Sequence, residues 1–247
     1  MNSFLSAYKN ELYKISKKKK FIAAALLGVL AVVLCGGLSA LLNRFGGVGL
    51  LYGGEFATGF LPVFEYTLIP LFTIFNAADM FTGEFSSDTI KLTLTRPVTR
   101  FKIYSAKVMA AATFLLGFLL YCAAAAIITS FFFGAGSANT VGALKAYTAA
   151  FVPLAVLMLM TVFIANFAKG SGAAFLITVV AFILLKALEF GFPGVKSFLF
   201  TAGFDWYKPL LGSYVNFFAV LRRFLVFLGC GVVFFGAGYL LFEKRSF

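Results

Sequence analysis

Six mostly apolar runs, each of membrane length, dominate this sequence: 21–42, 60–80, 103–131, 147–167, 172–188 and 221–242. A helix rises about 1.5 Å per residue, so about 20 apolar residues cross a hydrocarbon core of about 30 Å. Inside that core every backbone N–H and C=O must be paired, which an isolated run achieves only as a helix. The expected fold class is therefore all-α and integral to the membrane, with six transmembrane helices in a single domain, 1–247. Composition leaves little for anything else. Hydrophobic residues make up 62% of the chain and charged residues 12%, against roughly 45–50% and about 25% in soluble domains.

The charges are unevenly placed. Net charge is +12, from 21 basic and 9 acidic residues. Lys9, Lys14 and the run 17–20 precede the first apolar stretch, and Lys91, Arg96, Arg100, Lys102 and Lys107 follow the second. Basic loops stay on the cytoplasmic side, so both termini, the 81–102 loop and the 168–171 turn are expected there. The remaining connections, 43–59, 132–146 and 189–220, fall outside. Arg222 and Arg223 run against this trend and are expected to snorkel to the outer interface. The same distribution argues against a nucleic-acid partner, whose readers are soluble modules. Membrane lipids are the expected partner of the basic segments.

Two segments have character of their own. In 1–20, Phe4, Leu5, Tyr8, Leu12 and Ile15 recur at helical spacing with lysines largely elsewhere, which predicts an amphipathic interfacial helix. A cleaved signal peptide has an apolar core of about 7–15 residues, and the first run here is longer. The 189–220 segment is apolar but broken by Gly191, Pro193, Gly194, Pro209 and Gly212. It predicts short re-entrant or surface-lying helices before the last span, with Trp206, Tyr207 and Tyr214 as interfacial aromatics.

Much chemistry is missing. The chain has no histidine, the commonest general base and a common zinc ligand. Its three cysteines, Cys35, Cys122 and Cys230, lie apart inside apolar runs and read as small buried hydrophobes. No Gly-x-x-x-x-Gly-Lys-Ser/Thr loop occurs, so this chain has no phosphate cradle of that kind. Glu84 and Asp88 are one helical turn apart, but nothing polar converges on them. No catalytic or metal-binding residue is assigned. Glu65, Asp79 and Glu189 are the ionisable groups nearest the membrane interior.

The polar island that remains is GEFSSDTIKLTLTRPVTR, from Gly83 to Arg100. Ser86 or Ser87 suits the cap of a short helix with an acid in its first turn. The residue before Pro97 avoids helical geometry, and Thr99 can cap the next helix. A short cytoplasmic helix tied at both ends to membrane helices can transmit a push. The stretch DMFTGEFSSDTIKLTLTRPVTRFKIYSAK resembles the signature region of the permease subunits of ABC-2-type ATP-binding-cassette transporters. Glu84, then Thr89, Lys91, Leu92 and Leu94, then the turn from Pro97 to Arg100, then Lys107 stand in the order of that pattern. Asp88 stands where family members often carry glycine.

The resemblance implies a permease subunit of an exporter, working beside a second permease chain, identical or paralogous, and separate ATPase subunits. ATP and Mg would belong to the ATPase, with no cofactor in this chain. Glu84, Phe85, Asp88, Thr89, Lys91, Leu92, Arg96, Pro97 and Arg100 would form the surface that docks on the ATPase. The implied location is a bacterial plasma membrane. The substrate is unknown; 34 phenylalanines suit an apolar or amphipathic cargo such as a lipid, peptide antibiotic or drug, and equally suit a lipid-facing surface. Two other classes stand beside this one. A self-contained secondary transporter or channel would use Glu65 and Asp79, and a membrane enzyme or scaffold would act without nucleotide.

Overall fold

A computed structural model describes residues 3–46, 56–86, 99–132, 139–192, 194–212 and 216–244. Among them the regular structure is entirely helical. In chain order it comprises α1 (Ser3–Lys17), α2 (Lys19–Gly46), α3 (Phe56–Tyr66), α4 (Leu68–Ser86), α5 (Arg100–Phe132), α6 (Thr140–Ala165) and α7 (Ser171–Gly191). A 3-10 helix (Phe200–Tyr207), a single turn α8 (Lys208–Leu211) and the long α9 (Phe217–Lys244) complete it.

Four of these helices, α5, α6, α7 and α9, are long and apolar enough to cross a membrane. The pair α3 and α4, bent by 50°, passes the same test only when taken together, which gives four or five membrane-length units among the described residues. The second expected run, 60–80, is therefore not one straight helix. Pro70 explains where it breaks. Proline has no N–H to offer the carbonyl four residues back, and its ring collides with that carbonyl. For Pro70 that carbonyl belongs to Tyr66, where α3 ends. The chain tightens there, with the Thr67 amide donating to the Phe64 carbonyl at 3.2 Å and the Thr67 hydroxyl donating to the Val63 carbonyl at 2.6 Å. The first expected run lies in α2, whose described apolar stretch, Leu26–Leu41, is shorter than the about 20 residues of a full crossing.

α6 is the hub, packing against α3, α4, α5, α7, the 3-10 helix and α9. Its small residues make that possible: Ala143, Ala146 and Ala150 are fully buried at one-turn spacing and let neighbouring helices approach closely. Asn139 starts the helix, its side-chain oxygen accepting from the Gly142 amide at 2.8 Å. The periphery is apolar outward. Leu26, Leu30 and Leu34 of α2, Leu176 and Val180 of α7, and Leu225 and Val232 of α9 are all exposed. Water would not tolerate such a surface, and lipid would.

The 189–220 segment does hold short helices. The 3-10 helix is buried by protein, while α8 has no buried residue. Phe200, Thr201, Phe204 and Tyr207 are almost fully enclosed, and the Trp206 indole donates to the Ala149 carbonyl of α6 at 2.8 Å. Trp206 and Tyr207 are thus core residues, not the interfacial anchors their composition suggested. Gly203 gives the Phe227 ring of α9 room that a Cβ would fill, and that ring lies 5.4 Å from the Trp206 ring. Tyr214 lies outside the described residues.

Candidate functional site

The polar island sits between the end of α4 and the start of α5. Asp88, Thr89, Lys91, Leu92, Arg96 and Pro97 lie outside the described residues, as do the side chains of Glu84 and Phe85 in the last turn of α4. Arg100 is described, at the first position of α5. What the structure shows is how the two helix ends that bracket the island are held.

α1 holds both. Glu11 is buried, and so is Lys107 of α5, at 1% exposure. The Lys107 ammonium donates to Glu11 Oε2 at 3.1 Å. Lys14 donates to the other oxygen, Oε1, at 2.9 Å. The Lys107 charge also lies 5.9 Å from the centre of the Phe81 ring of α4, within range of a cation–π attraction. One helical turn beyond Lys14, Lys18 donates to Asp79 Oδ2 of α4 at 2.5 Å. So α1 and the residue that follows it bridge α5 through Glu11 and α4 through Lys18. The apolar side of α1 follows the predicted spacing in part: Ile15 is buried and Tyr8 and Leu12 pack on the core, while Leu5 is half exposed. The Tyr8 hydroxyl lies 2.9 Å from Thr113 Oγ1 of α5, so α1 runs along α5.

The start of α5 is fixed a second time, by α9. The Arg100 guanidinium donates to the Glu243 carbonyl. Tyr104, fully buried, donates to the Phe235 carbonyl at 3.3 Å. Its ring packs among Phe81 of α4 and Phe235, Tyr239 and Phe242 of α9, with centroids 5.2–5.8 Å apart. Gly238 of α9 faces the Tyr104 hydroxyl so closely that a Cβ there would sit 2.5 Å from it. The described ends of α4 and α5 are thus tied to α1 and α9.

The model of the ABC-2 family transporter proteins matches residues 7–185. It runs from the first half of α1, through the clamp formed by the Glu11–Lys107 and Lys18–Asp79 ion pairs, into α7. This chain belongs to the ABC-2 transporter family. It is a multi-pass membrane protein with a permease-type role in transport. No curated protein matches it.

The remaining acids of this ABC-2 chain lie elsewhere. Asp79 belongs to the clamp. Glu189 pairs with Lys186 at 2.9 Å, and the Lys186 ammonium also donates to the Thr201 carbonyl at 2.6 Å and faces the Tyr66 ring at 4.5 Å. Glu65, in the last turn of α3, is fully buried, and neither carboxyl oxygen has a hydrogen-bond partner among the described residues. Lys186, Lys208 and Asp205 are the charges near enough to act on it. Asp205 is itself held by the Tyr66 hydroxyl at 3.1 Å and by Lys208 at 3.2 Å. The structure does not bring Glu65 and Asp79 together: Glu65 lies at the bend that ends α3, and Asp79 lies in the second half of α4. Among the described residues no group of three or more potential ligand side chains is placed to hold a metal ion.

Glu11 is the functional residue that sequence reasoning passed over. A signal was there. It is the single acid in the first 20 residues, set among six lysines.

Proposed function

We propose that this ABC-2 chain is the permease subunit of an exporter driven by a separate ATP-binding-cassette ATPase. The observation that carries the reading is the clamp. α1 and Lys18 just after it are ion-paired to the two helices that bracket the polar island, and a segment meant to move membrane helices needs that kind of attachment. In this reading the island, Glu84 to Arg100, docks on the ATPase. Glu84, Phe85, Asp88, Thr89, Lys91, Leu92, Arg96, Pro97 and Arg100 set register and orientation there, and have no catalytic part. Two permease chains enclose the path, and six spans place both termini with the island in the cytoplasm of a bacterial cell. ATP and Mg act on the ATPase. The phenylalanine content suits an apolar or amphipathic substrate as well as it suits a lipid-facing surface.

Co-purification from the native membrane tests it. The wild-type chain should bring an ATPase with it, and Glu84→Lys or Arg100→Glu should release that subunit while the permease stays folded. Retention of the ATPase by both variants would sink the docking assignment.

One observation favours a second reading. A carboxyl buried without a hydrogen bond is costly in either charge state, and inside a membrane such groups mark ion or proton paths. A self-contained carrier built on Glu65 would transport in vesicles without any ATPase and stop on Glu65→Gln. The ABC reading requires no transport by the chain alone.

A further inference from the structure

The topology leaves one group of charges unexplained. Arg222 and Arg223 lie early in α9. The other end of α9 is beside Arg100 and Tyr104, and 28 helical residues at about 1.5 Å each separate the two ends by about 40 Å. The arginines are therefore at the membrane face remote from the polar island, where basic residues are usually scarce.

They are not scattered there. Arg222 and Arg223 share a cavity of about 240 Å³ with Lys196 and Ser197, which come from the turn before the 3-10 helix. Its other walls include Leu199 and Phe227. No carboxylate lines it. The acids closest in sequence are committed elsewhere, Glu189 to Lys186 and Asp205 to Lys208 and Tyr66. An arginine cannot shed its proton, so at least two of the three cations cannot be neutralised in place. Like charges gathered around one space repel each other until an anion enters it.

The lining also says what kind of anion. Guanidinium groups bind phosphate through paired N–H donors, and the Ser197 hydroxyl adds a further donor. Leu199 and Phe227 are suited to carbon. Phe198, Phe217 and Phe218, on the flanking turn and helix start, are exposed at 76%, 66% and 81% and extend the apolar surface outward. A free inorganic ion would leave all of that unused.

We propose that this cavity binds the phosphate of an anionic amphiphile of the phospholipid class, at the membrane face remote from the polar island. The inference rests on the cation cluster and its apolar surround, and it holds whichever way transport is energised.

The test uses the full purified chain, stripped of lipid in detergent and titrated with phosphatidylglycerol, phosphatidylcholine or inorganic phosphate. Retention is read by native mass spectrometry and by the shift in unfolding temperature. Phosphatidylglycerol should be retained and should raise that temperature more than phosphatidylcholine does. Each cation removed, in Lys196→Gln and in the double variant Arg222→Gln/Arg223→Gln, should weaken retention about fivefold. Lys102→Gln, at the opposite end, should leave it unchanged. The charge-keeping double variant Arg222→Lys/Arg223→Lys should retain more lipid than the glutamine pair, which separates lost charge from lost fold. An equal response to inorganic phosphate would keep the phosphate site and assign it a soluble ligand. Equal retention of the two lipids, or equal losses in the double variant and Lys102→Gln, would overturn the proposal.

Discussion

Lys107 is almost completely enclosed, and a lone buried ammonium is expensive. Glu11 makes it tolerable, and it is itself shared with Lys14. Removing one member of such a pair destabilises by about 3–5 kcal/mol, whereas replacing both with apolar residues of similar size is often neutral. Glu11→Gln should therefore lower the unfolding temperature of the purified chain markedly. Glu11→Leu combined with Lys107→Met should restore most of that loss. If the clamp carries motion, the double variant stays stable and transports poorly; a double variant with full transport would reduce the pair to a structural role. Gly238 gives a second expectation at this scale. A Cβ there would be 2.5 Å from the Tyr104 hydroxyl, so Gly238→Val must displace Tyr104 from its ring cluster. Overpacking of this kind costs about 1–3 kcal/mol, readable as reduced resistance to thermal unfolding.

The bend between α3 and α4 comes from a missing backbone donor. Pro70→Ala supplies an N–H to the Tyr66 carbonyl and should straighten the pair from its 50°, which spin labels placed on α3 and α4 would register as a longer distance. The bend also shows what a sequence hides. Hydropathy sees side chains and reads 60–80 as one continuous run; the backbone hydrogen bond that Pro70 cannot make lies outside its scope. The periodic side of α1 was legible because Tyr8, Leu12 and Ile15 repeat locally. Glu11 was not, because its partner Lys107 is 96 residues away and only tertiary packing brings them together. Trp206 and Tyr207 failed for a related reason. Aromatic composition near a membrane end suggests the interface, and only the fit of the 3-10 helix onto α6 puts these rings inside. The docking residues from Asp88 to Pro97 were assigned by resemblance, and they lie outside the described residues.

At the scale of the molecule, burial falls off sharply from the hub. In the apolar windows of the spans, 56% of α6 is buried inside the protein, against 17% of α7 and 11% of α9. In detergent, amide exchange should be slowest along α6, whose neighbours are protein on most sides; faster exchange there than in α9 would contradict the hub. The chain alone should hydrolyse no ATP above background, and hydrolysis by a co-purified ATPase should respond to substitutions in the clamp. The Glu11–Lys107 pair has one more consequence, and it concerns synthesis. Glu11 leaves the ribosome long before Lys107 does, so α1 must wait at the membrane surface until α5 is in place. An α5 inserted upside down would carry Lys107 to the far side, and Glu11 would keep only Lys14 of its own helix. Docking of α1 is thus a late step that succeeds only when the helices between have been threaded in the correct direction, and a mis-threaded chain is left with a loose N-terminus for proteases to find.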